Sequence, residues 1–155
     1  MSDKERKWKY KNEEEEKLAK YLIDLEGKAL KKYFNGDMSG YKELWSKTNF
    51  SYFDANSDKR IDEHKQICDW LDKNLAGKMH ADKYDIVDPR VQFGVDIGIL
   101  TYQLFADTNF VYMEYNVIEV FQKESDGEWR VIHSTWSFIR PMDKDWSGFK
   151  NKLVV

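Results

Sequence analysis

Hydrophobic positions along this chain change their period once, dividing it into a helical first half and an extended second half. From Glu13 onward, Leu18, Leu22, Leu25, Ala29 and Tyr33 recur at spacings of three and four, and Ile23, Leu30 and Phe34 widen the stripe. That spacing places them on one face of a helix, which Gly36 after Asn35 can end. The acidic run Glu13 to Glu16 falls in its first turn, where carboxylates complement the helix dipole. Ser39 can cap a second, short helix reaching Ser46 and burying Tyr41, Leu44 and Trp45. Asn49 to Asp54 alternates and reads as a short strand, closed by a turn over 55–59. A third helix, capped by Asp62 and stapled by Ile61, carries Ile67, Leu71 and Leu75 on one face and ends at Gly77.

After Lys78 the chain is extended throughout. Lys83 to Val87 and Arg90 to Phe93 read as two strands broken at Asp88-Pro89, because a proline cannot donate a ladder hydrogen bond. Ile97 to Phe105 follows, and then a long hairpin, Phe110 to Lys123 and Glu128 to Ile139, around the turn Glu124-Ser125-Asp126-Gly127. Strict alternation along its second arm puts Trp129, Val131, His133, Thr135 and Ser137 on one face. Arg130, Ile132, Ser134, Trp136 and Phe138 take the other. Both faces hold large apolar groups, so both are expected to be covered, one by helices and the other by a second subunit. Helices first and antiparallel strands after them give an α+β domain with its helices on one face of a curved sheet. The expected organisation is a flexible N-terminal arm over 1–12, the folded domain over 13–140, and a C-terminal tail over 141–155.

Composition narrows the function classes. The 25 basic and 28 acidic residues nearly balance at a net charge of −3, which gives no reason to expect nucleic acid or an anionic membrane as partner. Aromatic residues make up 15% of the 155, more than a small core needs, so some are expected to line a cavity or an interface. Cys68 is the single cysteine, which excludes an intramolecular disulfide and a thiolate-rich metal site. No His and carboxylate pattern has metal-ligand spacing, and there is no Gly-rich phosphate loop or nucleophile elbow; neither metal nor cofactor is expected. No apolar run approaches the ~20 residues of a membrane span, and no apolar segment follows the charged N-terminus, so a cytoplasmic location is expected.

Several short motifs, in order, carry a family likeness. Asn35-Gly36-Asp37 followed by Tyr41, Ser51-Tyr52-Phe53-Asp54, Asp88-Pro89-Arg90-Val91, and Asp126-Gly127-Glu128-Trp129 leading to His133 and Ser137 all take part. Together they resemble the nuclear transport factor 2-like superfamily, nearest to its SnoaL-like members and the association (hub) domain of calmodulin-dependent protein kinase II. The resemblance covers about residues 13 to 140. It implies a cone-shaped bent antiparallel sheet closed by three helices, with a pocket at one end and a tendency to dimerise by packing sheets. The chain departs from the hub pattern where it matters for chemistry. Thr135 replaces the second histidine, and Trp136, Glu119 and Gln103 stand where the hub carries pocket arginines. Arginines suit carboxylate ligands, so their loss points to a neutral, aromatic or polycyclic small organic molecule.

Alternation and resemblance together place Trp136, Tyr115, Gln103, Ser134, Phe138, Tyr33 and His64 at the pocket. Glu119 then lies among aromatics, where desolvation would raise its pKa and fit it for general acid or base work, aided by a phenol such as Tyr21, Tyr33 or Tyr115. Its alternatives are pairing with Arg130 or facing solvent. Asp54 and Asp96 read as turn residues. Trp129, Val131, His133 and Thr135 are expected on the opposite face, at a homodimer interface. Three functions stay open: a small-molecule-binding domain, a cofactor-free isomerase, dehydratase or cyclase, and a homo-oligomerisation module.

Overall fold

A computed structural model describes residues 8–139. Its elements are α1 (Glu13–Tyr33), α2 (Ser39–Leu44), β1 (Ser51–Phe53), α3 (His64–Asn74), β2 (Ala81–Gly94), β3 (Ile97–Thr108), β4 (Tyr112–Lys123) and β5 (Trp129–Phe138). The five strands form one curled, unclosed sheet in the order β1-β5-β4-β3-β2; β1 runs parallel to β5 and the other neighbours are antiparallel. This is the α+β architecture that the change of period predicts. The expected tail over 141–155 lies outside the described residues. Of the expected arm, Trp8 stacks its ring over the Arg90 guanidinium, 4.3 Å from ring centroid to carbon.

Local chemistry accounts for the element ends. The Asn12 side chain accepts the Glu15 amide at 2.9 Å to start α1, and Lys31 and Lys32 sit in its last turn. Gly36, at φ 77°, stands so near Gly77 that a Cβ would come within 3.2 Å of the Gly77 backbone. The Gly77 amide donates to the Gly36 carbonyl at 2.8 Å, tying the end of α1 to the end of α3. Two expected caps are not used. Ser39 is the first residue of α2 and its amide is taken by Asp37, while Asp62 pairs with Arg60 rather than capping α3.

The two strands expected on either side of Asp88-Pro89 are one. β2 continues through a register shift between Val87 and Arg90, with Asp88 at φ 52°. A bulge on an edge strand needs no ladder donor from the proline, so the pair bends the strand without ending it.

β3 and β4 both alternate, and on β4 Tyr115 and Glu119 face inward as expected. Gly98, Leu100, Tyr102, Leu104 and Ala106 are buried on the inner face, joined by Met113, Tyr115, Val117, Glu119 and Phe121. A Cβ on Gly98 would lie 2.7 Å from Leu22 Cδ1, which shows how closely α1 lies on the sheet.

β5 breaks the alternation once. Val120 faces His133 but Phe121 faces Val131, so Ile132 is an extra residue. Parity therefore reverses across Ile132. Val131 is 0% exposed in the core beside Phe121, and Trp129 packs against the core from the helix side. Both were expected on the outer face, and the bulge is why they are not there. His133 and Thr135 do face outward, beside Ser51 and Phe53 of β1.

Val131→Ala should accordingly cost about 2 kcal/mol of unfolding free energy in a urea titration, the loss of buried methyl groups plus a cavity. A cost under about 0.5 kcal/mol, the usual value for surface substitutions, would put Val131 back on the exterior.

Candidate ligand pocket

Between the inner face of the sheet and the helices lies a cavity of about 350 Å³. Each element contributes a large side chain because its apolar stripe turns inward there: Tyr33 from the end of α1, Tyr41 from α2, Tyr52 from β1, Tyr115 from β4 and Trp136 from β5. Trp70 of α3 and Phe110 of the β3–β4 turn are 43% and 54% exposed and form its rim. Trp45 stacks between Tyr41 and Phe50, at 5.1 and 4.9 Å between centroids, so both its faces are covered. Trp136 is ringed at steep angles by Tyr33 (5.8 Å, 57°), Tyr41 (6.2 Å, 74°) and Tyr115 (6.0 Å, 64°). These rings meet Trp136 tilted or edge-on rather than stacked.

Behind that lining sit two fully buried carboxyl groups. Glu119 Oε1 accepts from Ser134 Oγ at 2.5 Å and from Trp136 Nε1 at 3.3 Å. Glu26, on α1, accepts at Oε1 from the Tyr102 hydroxyl at 2.6 Å and the Tyr41 hydroxyl at 2.8 Å. The second oxygen of each has no partner among the described residues. Burial pushes Glu26 up to about 7, against the opposing pull of the Tyr102 and Tyr41 hydroxyls. Glu119 is pushed well above the carboxylate range, first by burial and then by the charge of Glu26, while Ser134 and Trp136 pull the other way. Burial also raises the phenols of Tyr41 and Tyr102, which keeps them protonated as donors.

The cavity itself meets a different carboxylate. Asp54 follows β1; its Oδ2 takes the Asn56 amide at 3.0 Å, an Asx turn, and its Oδ1 accepts from the Tyr52 hydroxyl at 3.0 Å. Its charge contributes to raising the phenols of Tyr33, Tyr52 and Tyr115, after burial in each case. The turn role expected of Asp54 is present, and the same side chain lines the cavity.

Of the seven residues expected at the pocket, Trp136, Tyr115 and Tyr33 line it. Ser134 and Phe138 stand one layer back, the first bonded to Glu119 and the second edge-on to Tyr115 at 5.5 Å. Gln103 is on the outer face, bonded to Asn116 at 3.0 Å, because β3 alternates and its inner residues are Tyr102 and Leu104. His64 opens α3, and its Nε2 donates to the Lys42 carbonyl at 2.7 Å, joining α3 to α2 instead of facing the cavity. Glu119 points inward as expected but behind Trp136, and none of the phenols proposed to aid it bonds to it. Tyr21 is 44% exposed on α1. The phenols that do serve a buried acid are Tyr41 and Tyr102. Glu26 was not foreseen; it lies one helical turn from both Leu22 and Leu30, so the apolar stripe itself marks it as buried. Arg130 pairs with Glu124 and Asp126 across the hairpin turn, leaving Glu119 without a basic partner among the described residues.

Folded Glu26 holds its proton more tightly than the unfolded chain does, where its ordinary value is 4.5. Its contribution is therefore fully present below about 4.5 and is lost as pH rises through about 7, a span worth roughly 3 kcal/mol. Glu26→Gln keeps an acceptor for both tyrosines and removes the ionisation. In urea titrations from pH 4.5 to 8, the variant should gain roughly 3 kcal/mol on the wild type. Parallel curves would mean that Glu26 is not held protonated by the fold.

The SnoaL-like domain model matches residues 26–141. Among solved structures, a protein of Parabacteroides distasonis ATCC 8503 designated "putative ketosteroid isomerase" is 26% identical, with 83% of this chain and 93% of that one covered and a TM-score of 0.71. A nuclear transport factor 2-like protein of unknown function from Pseudomonas putida KT2440 is 14% identical over 89% and 98% of the two chains, with a TM-score of 0.70. The association domain of calmodulin-dependent protein kinase II from C. elegans is 16% identical over 81% and 99%, with a TM-score of 0.65. A comparison with curated proteins found no match. With its helix-closed curled sheet and aromatic-lined cavity, the chain has the nuclear transport factor 2-like fold and belongs to the SnoaL-like domain family.

Proposed function

We propose that this protein binds a small, non-anionic organic molecule in the cavity behind Trp70 and Phe110. The observation that carries this reading is the lining. Eight aromatic side chains surround about 350 Å³, and no Lys, Arg or His is among the described residues that line it. That volume lies within the range of small-molecule sites. An acidic ligand would enter without a cationic partner, at a large desolvation cost. Native mass spectrometry of protein taken directly from cells should show a retained small molecule, and Trp136→Arg should turn the preference toward carboxylates. If neither occurs, the cavity is only packing space.

Proton transfer without a cofactor is the second reading, favoured by Asp54 standing in the lining beside Tyr33, Tyr52 and Tyr115. The designation carried by the Parabacteroides protein agrees with it. The base would be Asp54, because it meets the cavity. Glu119, behind Trp136 and held protonated, would act only through the indole. Asp54→Asn should lower turnover by about 10²-fold or more against a substrate with an acidic C–H next to a carbonyl. Turnover unchanged in that variant would remove the reading.

The protein is further proposed to act as a cytoplasmic homodimer formed through the outer sheet face. Val87, Ile99 and Ile118 are 37–39% exposed there, one each on β2, β3 and β4, and on β5 the ring of His133 bridges Ser51 (2.7 Å) and Thr135 (2.6 Å). Members with this fold include an association domain, which agrees with assembly as a role in itself. The lone Cys68 fits a reducing compartment, and no helix among the described residues is long and apolar enough to cross a membrane. Light scattering should give twice the 18.6 kDa chain mass, and Ile118→Arg should give a folded monomer. A wild-type monomer at micromolar concentration would overturn the dimer.

A further inference from the structure

The chemistry of the cavity says more about its occupant than that it lacks an acidic group. Trp136 and Tyr41 both line the cavity, but their polar ends are engaged behind it: the indole N–H by Glu119 and the hydroxyl by Glu26. Neither therefore offers a hydrogen-bonding group to a ligand. Trp136 meets Tyr33, Tyr41 and Tyr115 at 57–74° with centroids 5.8 to 6.2 Å apart, so these rings pack directly on one another as one aromatic wall. A wall of rings with a carboxylate beside it suits an organic cation, because ring faces attract positive charge.

Charge points the same way. Asp54 is the one carboxylate in the lining, and its two oxygens take only a phenol and a backbone amide. The nearby Arg60 is paired with Asp62 instead. Among the described residues Asp54 has no ion-pair partner, so one negative charge faces an aromatic cavity that supplies no positive one.

We propose, resting on the ligand-binding reading above, that the cavity takes an organic cation: a quaternary or tertiary ammonium group on a small organic body. The ammonium sits against the aromatic lining beside Asp54, whose carboxylate is its counter-ion. The Trp70 and Phe110 rim covers the organic body.

The test is calorimetry on the full chain with two ligands of one shape: (3-hydroxyphenyl)trimethylammonium and its uncharged carbon isostere, 3-tert-butylphenol. The wild type should bind the cation about tenfold or more tightly than the isostere, as ring-face attraction and a counter-ion require. Asp54→Asn should cut that preference to about threefold or less while leaving the affinity for 3-tert-butylphenol nearly unchanged. The wild-type comparison stands whatever Asp54→Asn does to folding. Equal binding, or tighter binding of the phenol, overturns the cation proposal and leaves the ligand-binding reading intact. Binding of neither compound, with no molecule retained on protein from cells, overturns both.

Discussion

Two buried glutamic acid side chains, with no basic partner among the described residues, are the constraint around which this interior is built. A carboxyl taken out of water must find donors or keep its proton. Here each finds donors and has its pKa raised. Tyr41 and Tyr102 serve Glu26, Ser134 and Trp136 serve Glu119, and burial pushes Glu26 up to about 7 and Glu119 well above the carboxylate range. Because the donors come from α2, β3 and β5 while the acids come from α1 and β4, these bonds fix the helices on the sheet. They also fix which way the aromatic rings point.

That orientation is the link to function. A tyrosine or tryptophan with a free polar end would make a wet, hydrogen-bonding pocket. With the indole of Trp136 and the hydroxyl of Tyr41 engaged behind the wall, neither offers the cavity a hydrogen-bonding group, and Asp54 supplies its negative charge. Tyr52, in turn, gives its hydroxyl to Asp54. The same economy of donors explains why Glu119 cannot be the acid that meets a ligand.

Much of this was legible in the chain, and the failures have physical causes. The change of hydrophobic period marked the helices and the late strands, while alternation together with the family resemblance marked the inward set Tyr115, Glu119 and Trp136. It failed at Val131 and Trp129, since one extra residue at Ile132 reverses parity and bulges leave no reliable mark in composition. Gln103 was misplaced by a one-residue error in register, enough to move a side chain from one face of a sheet to the other. Glu26 was hidden by its polarity, although its spacing from Leu22 and Leu30 marked it as buried. Asp54 was visible only as a turn residue; that it also meets the cavity depends on where β1 pairs with β5, a long-range contact that local sequence does not encode.

The central claim, that the fold holds these two acids protonated behind the aromatic wall, is tested most directly by carboxyl ¹³C NMR of glutamate-labelled protein across a pH series. Glu26 should titrate at about 7 and Glu119 above the carboxylate range, each assigned by its Gln variant. Two resonances titrating together near the ordinary value of 4.5 would show that both acids reach water, and would contradict the account.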